Sequence, residues 1–272
     1  MISKKSIGLV TLLISISLSC QETKRKDPGH VTASVLRSTE LFHIPYVSSG
    51  ELNNPALVLV LHGDAPFNNP SYQYRIAKKI AIENTNVVSV GILRPGYTDN
   101  EGNQSKGERG NATGDNYTIQ VLESIYALTT TLKEKYNPSE VVLVGHSGGG
   151  AISANLIAAY PGTYSKAVLI SCPCDLDQWR AHMKKLQPEA RIWDMEVSSL
   201  SPIENISSID DSTQIGIIHG DKDEIVPIGI AYSYRKALES DHKTVNFLTL
   251  ENQGHEVALN PRVFELVKEF IK

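Results

Sequence analysis

Residues 140–150 read EVVLVGHSGGG and combine two different patterns. The first half is apolar at nearly every position, which is typical of a strand buried on both faces of a parallel sheet. The second half places Ser147 between glycines at positions 145 and 149, and apolar residues at helical spacing follow from Ala151. The stretch therefore predicts a strand, a sharp turn that carries a serine, and a helix.

The same alternation continues on both sides of this stretch. Apolar runs of strand length recur at residues 56–62, 87–93, 166–171, 214–219 and 244–250. Stretches with helical spacing of apolar residues lie at 72–83, 116–136, 151–159, 228–238 and 261–271. Strands that alternate with helices over roughly 220 residues predict one α/β domain, with a mainly parallel, doubly wound sheet flanked by helices.

Two segments interrupt the alternation. Residues 95–115 form a loop rich in glycine, asparagine and charged residues, and loops of this length inside a domain are usually functional or disordered. Its composition also suits a solvated surface loop, so the sequence does not decide whether it contacts substrate. Residues 172–212 hold both tryptophans and a helix-like stretch at 176–186, so we interpret this insertion as a small cap.

The composition excludes several classes of protein. With 41% hydrophobic and 21% charged residues, the 272-residue chain resembles an average soluble globular protein, which argues against disorder, collagen-like repeats and a polytopic membrane protein. A formal net charge of −4 provides no basic surface for DNA or RNA, so nucleic acid is not an expected partner.

Cysteine use is sparse, with residues at positions 20, 172 and 174 only. Their spacing does not suit a zinc site, and we predict neither a metal nor an organic cofactor. A disulfide across one intervening residue would be strained, so we expect Cys172 and Cys174 to be free thiols at the end of a strand.

The N-terminal residues have the pattern of a targeting segment. Lys4 and Lys5 precede an apolar run over residues 7–18, which is too short to span a bilayer. The small residues of Ser17-Leu18-Ser19 then suggest a cleavage site, so residues 1–19 are predicted to be a signal peptide.

Cys20 follows this predicted cleavage site, and the arrangement resembles a bacterial lipoprotein signal. The resemblance implies lipid attachment at Cys20, a polar tether over 20–38, and a domain over 39–272 held at the bacterial cell envelope. Ser17 and Leu18 depart from the usual lipoprotein pattern, in which leucine lies three residues and a small residue two residues before the cysteine. The alternative is export as a soluble periplasmic or secreted protein.

The GxSxG turn between a buried strand and a helix resembles the nucleophile elbow of the α/β-hydrolase superfamily. The resemblance covers the chain after residue 40 and implies the α/β-hydrolase fold, with Ser147 as nucleophile and an acid and a histidine following in that order. Residues 219–227, HGDKDEIVP, resemble the family's HGxxDxxVP turn, in which the acid matches Asp223; Asp221 is the competitor. His255 is the expected base, because Gly-His follows the last predicted strand.

Such a hydrolase also needs two backbone donors for the oxyanion. The resemblance assigns one to the N–H of Gly148, directly after the nucleophile. Residues 61–66, LHGDAP, resemble the family's HG oxyanion turn, and we assign the second donor to the N–H of Asp64, with Ala65 as the fallback. An aspartate is unusual there, and its carboxylate must point away from the oxyanion to avoid opposing catalysis.

These residues predict an exported serine hydrolase that cleaves a carboxylic ester of a small-molecule acyl substrate through an acyl-enzyme. The first alternative is a serine peptidase. The chain resembles the catalytic domain of the prolyl oligopeptidase family in three motifs: Ser201-Pro202-Ile203, HGxxDxxVP and the final Gly-His-Glu. The chain lacks the length for that family's propeller, however. The second alternative is a catalytically silent hydrolase fold used for binding. The intact order of serine, aspartate and histidine argues against it.

Overall fold

Seven strands form one sheet in the computed structural model, which describes residues 41–271. The strand order is β1-β3-β2-β4-β5-β6-β7, with every neighbouring pair parallel except β1 and β3. The strands are β1 (His43–Val47), β2 (Ala56–Leu61), β3 (Val87–Ile92), β4 (Glu140–His146), β5 (Lys166–Ile170), β6 (Gln214–Gly220) and β7 (Thr244–Leu250). The predicted α/β-hydrolase fold, with its mainly parallel sheet, is confirmed.

Helices cover both faces of the sheet. Helices α1 and α6 pack in one apolar layer, whereas α2, α3, α4 and α5 contribute to the layer on the other face. The helices are α1 (Tyr72–Glu83), α2 (Ile119–Tyr136), α3 (Gly148–Ala159), α4 (Leu176–Leu186), α5 (Ile228–Ser240) and α6 (Pro261–Phe270). Their bounds lie close to those that the apolar spacing predicts.

The continuous apolar runs are explained by these two layers. Successive side chains of a strand point to opposite faces. In β2, Leu57, Leu59 and Leu61 enter one layer, while Val58 and Val60 enter the other. All five residues are almost fully buried, so an apolar residue is needed at every position rather than at every second one.

The insertion at residues 172–212 contains α4 and two short 3₁₀ segments, Arg191–Asp194 and Pro202–Ser208. The buried ring of Trp179 anchors α4 to the main core. The indole N–H of Trp179 donates to the carbonyl of Ile225 at 2.9 Å, which joins the insertion to the loop after β6.

Cys172 and Cys174 form a disulfide, so the expectation of two free thiols is wrong. Their Cα atoms lie 5.2 Å apart, which is within the range that a disulfide can bridge. The chain turns sharply just before this pair, as it leaves β5, with φ of +47° at Ser171.

Within residues 41–271, no helix combines the length and the apolar character needed to cross a membrane. The predicted signal peptide, Cys20 and the tether lie outside the described residues.

Candidate active site

Ser147 lies on the turn between β4 and α3, at the carboxyl edge of the sheet. Its backbone has φ of +53° and ψ of −121°, a conformation that residues other than glycine rarely adopt and that lifts the hydroxyl clear of the strand. The turn needs Gly149 because a Cβ there would fall 2.5 Å from the carbonyl oxygens of Leu61 and His62. The glycines of the motif therefore make room for a strained serine.

His255 follows β7 and meets the serine. Its Nε2 lies 3.0 Å from Ser147 Oγ, and its Nδ1 lies 2.8 Å from Asp223 Oδ2. A carboxylate can only accept, so Nδ1 carries the proton and Nε2 is free to accept from the serine hydroxyl. The three side chains are thus joined in the order that an acyl-transfer triad requires.

Asp223 follows β6 and is saturated with donors. Its Oδ1 accepts from the backbone N–H groups of Ile225 at 3.0 Å and Val226 at 2.8 Å. Its Oδ2 faces His255 and also His219, whose Nε2 lies 3.2 Å away. Burial by itself would raise the pKa of Asp223, but hydrogen bonds from His219 and His255 hold that pKa well below its ordinary value.

Asp221, the alternative acid, has a different place. Asp221 begins the loop between β6 and α5, and its backbone N–H donates to the carbonyl of Leu250 at the end of β7, at 3.1 Å. The structure therefore brings Asp223, rather than Asp221, to His255.

Asp64 lies in the turn after β2, and its carboxylate is buried beside Gly148. Oδ1 accepts from Arg94 Nη1 at 2.8 Å, and Oδ2 accepts from the hydroxyl of Tyr117 at 2.6 Å and the N–H of Gly114 at 2.8 Å. The side chains of Arg94 and Asp64 are 1% and 4% exposed. Three donors, one of which is the buried cation Arg94, therefore balance the charge of Asp64 near the expected oxyanion site.

The ionisation of this cluster follows from its burial. Burial raises the pKa of Tyr117 well above its ordinary value and the nearby Asp64 raises it further, so the hydroxyl stays a neutral donor. Burial would lower the pKa of Arg94, but Tyr97 and Asp64 outweigh it and the guanidinium stays charged. Tyr117 carries no motif that would have pointed to this role.

The two expected oxyanion donors follow β2 and β4, which are neighbouring parallel strands. The N–H of Gly148 begins α3, where the first N–H groups of a helix lack intrahelical partners. The N–H of Gly63 already donates to the hydroxyl of Tyr72 at 2.5 Å, which leaves the next residue, Asp64, as the candidate for the second donor. The roles of Gly148 and Asp64 stay predictions.

Among residues 41–271, no group of three or more histidine, cysteine, aspartate or glutamate side chains is arranged to hold a metal ion.

Comparison with known proteins gives a family match over more than half of the chain. The model of the prolyl oligopeptidase family matches residues 98–272. The acylamino-acid-releasing enzyme of Rattus norvegicus is 25% identical over 149 residues, which are 49% of this chain and 20% of that protein. The chain therefore spans about a fifth of the length of this relative.

Solved structures share the fold at low identity. Est1E from Butyrivibrio proteoclasticus, solved with ferulic acid, has a TM-score of 0.61 and 16% identity over 88% of this chain and 97% of its own. Proline iminopeptidase from Mycobacterium smegmatis has a TM-score of 0.62 and 13% identity, over 87% of this chain and 95% of its own. Acylaminoacyl peptidase from Pyrococcus horikoshii has a TM-score of 0.61 and 14% identity, over 87% of this chain and 42% of its own. These likenesses establish the fold alone.

Proposed function

We propose that this chain, which belongs to the prolyl oligopeptidase family and is a serine hydrolase of the α/β-hydrolase type, cleaves a carboxylic ester. The observation that carries the proposal is the continuous contact from Ser147 through His255 to Asp223, at 3.0 and 2.8 Å. Small-molecule acyl esters are the substrate class that we expect.

The proposed reaction begins at Ser147 Oγ. His255 Nε2 takes the hydroxyl proton as the oxygen attacks the ester carbonyl, and Asp223 stabilises the imidazolium that forms. The N–H groups of Gly148 and Asp64 would donate to the oxyanion of the tetrahedral intermediate. His255 then returns the proton to the departing alcohol, and a water activated by the same imidazole hydrolyses the acyl-enzyme.

We rank the ester above the amide on chemical grounds. An alkoxide leaves a tetrahedral intermediate more readily than an amine, so an ester makes smaller demands on the proton donor and on leaving-group positioning. The second candidate is a peptidase of the prolyl oligopeptidase type, and the family match over residues 98–272 favours it.

A paired substrate panel tests the ranking. The mature chain is assayed on p-nitrophenyl esters of increasing acyl length and on aminoacyl and prolyl anilides, and we expect the larger kcat/KM on the esters. A larger kcat/KM on the anilides would establish the peptidase instead.

Covalent capture separates either enzyme from a silent binding protein. We expect a fluorophosphonate probe to label the protein at Ser147, and Ser147→Ala to abolish labelling and lower kcat by roughly 10⁴ to 10⁶-fold. Export and anchoring through Cys20 remain part of the proposal and have their own test below.

A further inference from the structure

We propose that Tyr72 and His146 are a positioning pair that holds the oxyanion turn, the nucleophile turn and the loop of the catalytic histidine in one fixed arrangement. The inference rests on the proposed function, because it assigns these residues to the same reaction. Neither side chain contacts the reacting atoms. Each acts through the backbone of a segment that does.

The pair joins the three segments by consecutive hydrogen bonds. The hydroxyl of Tyr72 lies 2.5 Å from the N–H of Gly63, in the oxyanion turn, and 2.8 Å from His146 Nδ1. His146 directly precedes Ser147, and its Nε2 lies 3.1 Å from the carbonyl oxygen of His255.

Only one placement of protons satisfies all of these contacts. The carbonyl of His255 can only accept, so Nε2 of His146 must carry the proton and Nδ1 must be a bare acceptor. The hydroxyl of Tyr72 therefore donates to Nδ1, and its oxygen accepts from the N–H of Gly63. Each group has a single role, which makes the arrangement a defined one rather than an average of several.

Burial supports this assignment. His146 is 3% exposed, and burial together with the nearby His255 lowers the pKa of His146 to about 4. The imidazole is thus neutral near pH 7, as the donor and acceptor pattern requires. Burial also raises the pKa of Tyr72, which keeps its hydroxyl protonated.

Packing and a second bond restrict the histidine loop further. The rings of His146 and His255 lie 5.2 Å apart, and the ring of Tyr72 meets His146 edge to face at 5.6 Å. The hydroxyl of Ser171 also donates to the carbonyl of His255, at 3.2 Å. The carbonyl that fixes the backbone of the base therefore has two donors.

This placement matters because acyl transfer tolerates little displacement. A shift of about 1 Å in a reacting group can lower the rate by roughly 100-fold. The bond from the Gly63 N–H to Tyr72 also fixes the backbone directly before Asp64, the expected second oxyanion donor. The pair therefore sets both the donor and the base relative to Ser147.

The test removes one hydroxyl. Tyr72→Phe keeps the ring but leaves Gly63 N–H and His146 Nδ1 unpartnered. We expect kcat to fall roughly 10- to 100-fold with KM changed by less than about threefold. The rate constant of fluorophosphonate labelling at Ser147 should fall in parallel with kcat.

Tyr164→Phe is the matched control. The hydroxyl of Tyr164 is buried and lies 3.1 Å from Thr129 Oγ1, and the residue precedes β5 at the opposite edge of the sheet. Its loss should lower the melting temperature about as much as Tyr72→Phe and leave kcat and labelling unchanged. Equal kcat in Tyr72→Phe and wild type, or equal losses in both variants, would overturn the proposal.

Variants of His146 give a graded readout. Gln can offer an amide N–H to the carbonyl of His255, whereas Leu offers none, so His146→Gln should retain more kcat than His146→Leu. In the double variant of Tyr72→Phe with His146→Leu, the loss of activation free energy calculated from kcat should be smaller than the sum of the two single losses, because both substitutions disrupt the same hydrogen-bond network. Additive losses, or equal activity of the Gln and Leu variants, would contradict the pairing.

The same labelling separates this inference from the proposed function. Wild type that fails to react with the probe would refute the serine hydrolase mechanism itself. Wild type and Tyr72→Phe that react equally fast would refute only the positioning pair.

Discussion

At the scale of single residues, the acid of the candidate triad is distinguished by its contacts. Asp223 binds both the imidazole of His255 and two backbone N–H groups, whereas Asp221 contributes its own N–H to a turn. The two aspartates lie two positions apart and are chemically identical, so only their contacts distinguish the candidate acid from its neighbour.

We predict that Asp223→Asn lowers kcat by roughly 10⁴-fold, because an amide cannot stabilise the imidazolium and favours the wrong tautomer of His255. Asp221→Asn should change kcat by less than about threefold. The measurement is kcat on the best ester or anilide of the panel, at saturating substrate. A larger loss in the Asp221 variant would reverse the assignment.

The lowered pKa of His146 predicts how the free energy of unfolding depends on pH. Its pKa is about 4 in the folded chain, whereas a histidine in an unfolded chain titrates near 6.5, so the unfolded state binds more protons between these values. Stability should therefore fall as the pH drops from about 6.5 to 4, and this residue contributes up to about 3 kcal/mol of that loss.

The measurement is the free energy of unfolding in denaturant at several pH values, for wild type and for His146→Gln. We expect a shallower fall for the variant in this window, because it lacks the group that gains a proton on unfolding. His62, whose pKa is lowered well below 6.5 chiefly by burial, is present in both proteins, so the difference between the two curves is mainly due to His146. Parallel curves would refute the prediction.

At the scale of elements, the sequence predicts what depends on local pattern. The strands β2 to β6 appear as continuous apolar runs because both faces of each are covered. Strand β1 gave no such signal: it is five residues long, lies at the edge, and is exposed or half-buried along its whole length.

The same distinction, between what local patterns predict and what depends on distant contacts, applies to the candidate site. The sequence predicts the Ser147, Asp223 and His255 constellation from motifs that each follow a strand. Tyr72 and Tyr117 lie outside those motifs, and their contacts depend on how distant segments meet, which local patterns do not encode. The sequence does not predict the disulfide of Cys172 and Cys174, because it depends on the backbone conformation around the pair, which their spacing does not reveal.

The loop over residues 95–115 is tied to the oxyanion turn at two points. Arg109 Nη2 donates to the carbonyl of Pro66 at 2.8 Å, and the N–H of Gly114 donates to Asp64 at 2.8 Å. The loop is therefore a support for this turn, in addition to any contact it makes with substrate.

Two glycines of this loop allow a controlled test of that role. Gly102 and Gly114 both have positive φ, of +86° and +74°, so alanine strains the backbone at each by about 1 kcal/mol. A Cβ at Gly102 meets nothing within 4 Å, whereas at Gly114 it collides with the ring of Trp179.

We predict that Gly114→Ala costs roughly 1–3 kcal/mol more stability than Gly102→Ala, because the collision adds overpacking to backbone strain. It should also lower kcat, because it displaces the N–H that binds Asp64. Chemical denaturation and kcat measured on both variants test this. Equal kcat in the two variants would show that the loop does not support the oxyanion turn.

At the scale of the whole molecule, the candidate triad and the beginning of β1 lie at the same end of the sheet. This is the end at which the parallel strands have their carboxyl termini. Ser147, Asp223 and His255 follow the carboxyl ends of β4, β6 and β7. Strand β1 is antiparallel, and its first residue, His43, pairs with Ile92 at the carboxyl end of β3. The described chain therefore begins at the end of the sheet that carries the candidate triad.

The position of the beginning of β1 gives the proposed lipid anchor a consequence. Residues 21–40 can span at most about 70 Å when fully extended, since each residue adds about 3.5 Å. An acylated Cys20 would thus hold the catalytic edge within that distance of the membrane surface. Substrates at or near the bilayer would then be within reach of Ser147.

We predict that the full chain, expressed in bacteria with labelled palmitate, incorporates the label and fractionates with membranes. Cys20→Ser should lose both, because the acylated cysteine supplies the only attachment that the proposal invokes. Cys172→Ser is the matched control: it breaks the disulfide with Cys174 but leaves Cys20 in place, so it should keep the label and the membrane fraction. Label that persists in Cys20→Ser, or wild type that is released without label, would show soluble export, and the catalytic edge would then have no fixed relation to a membrane.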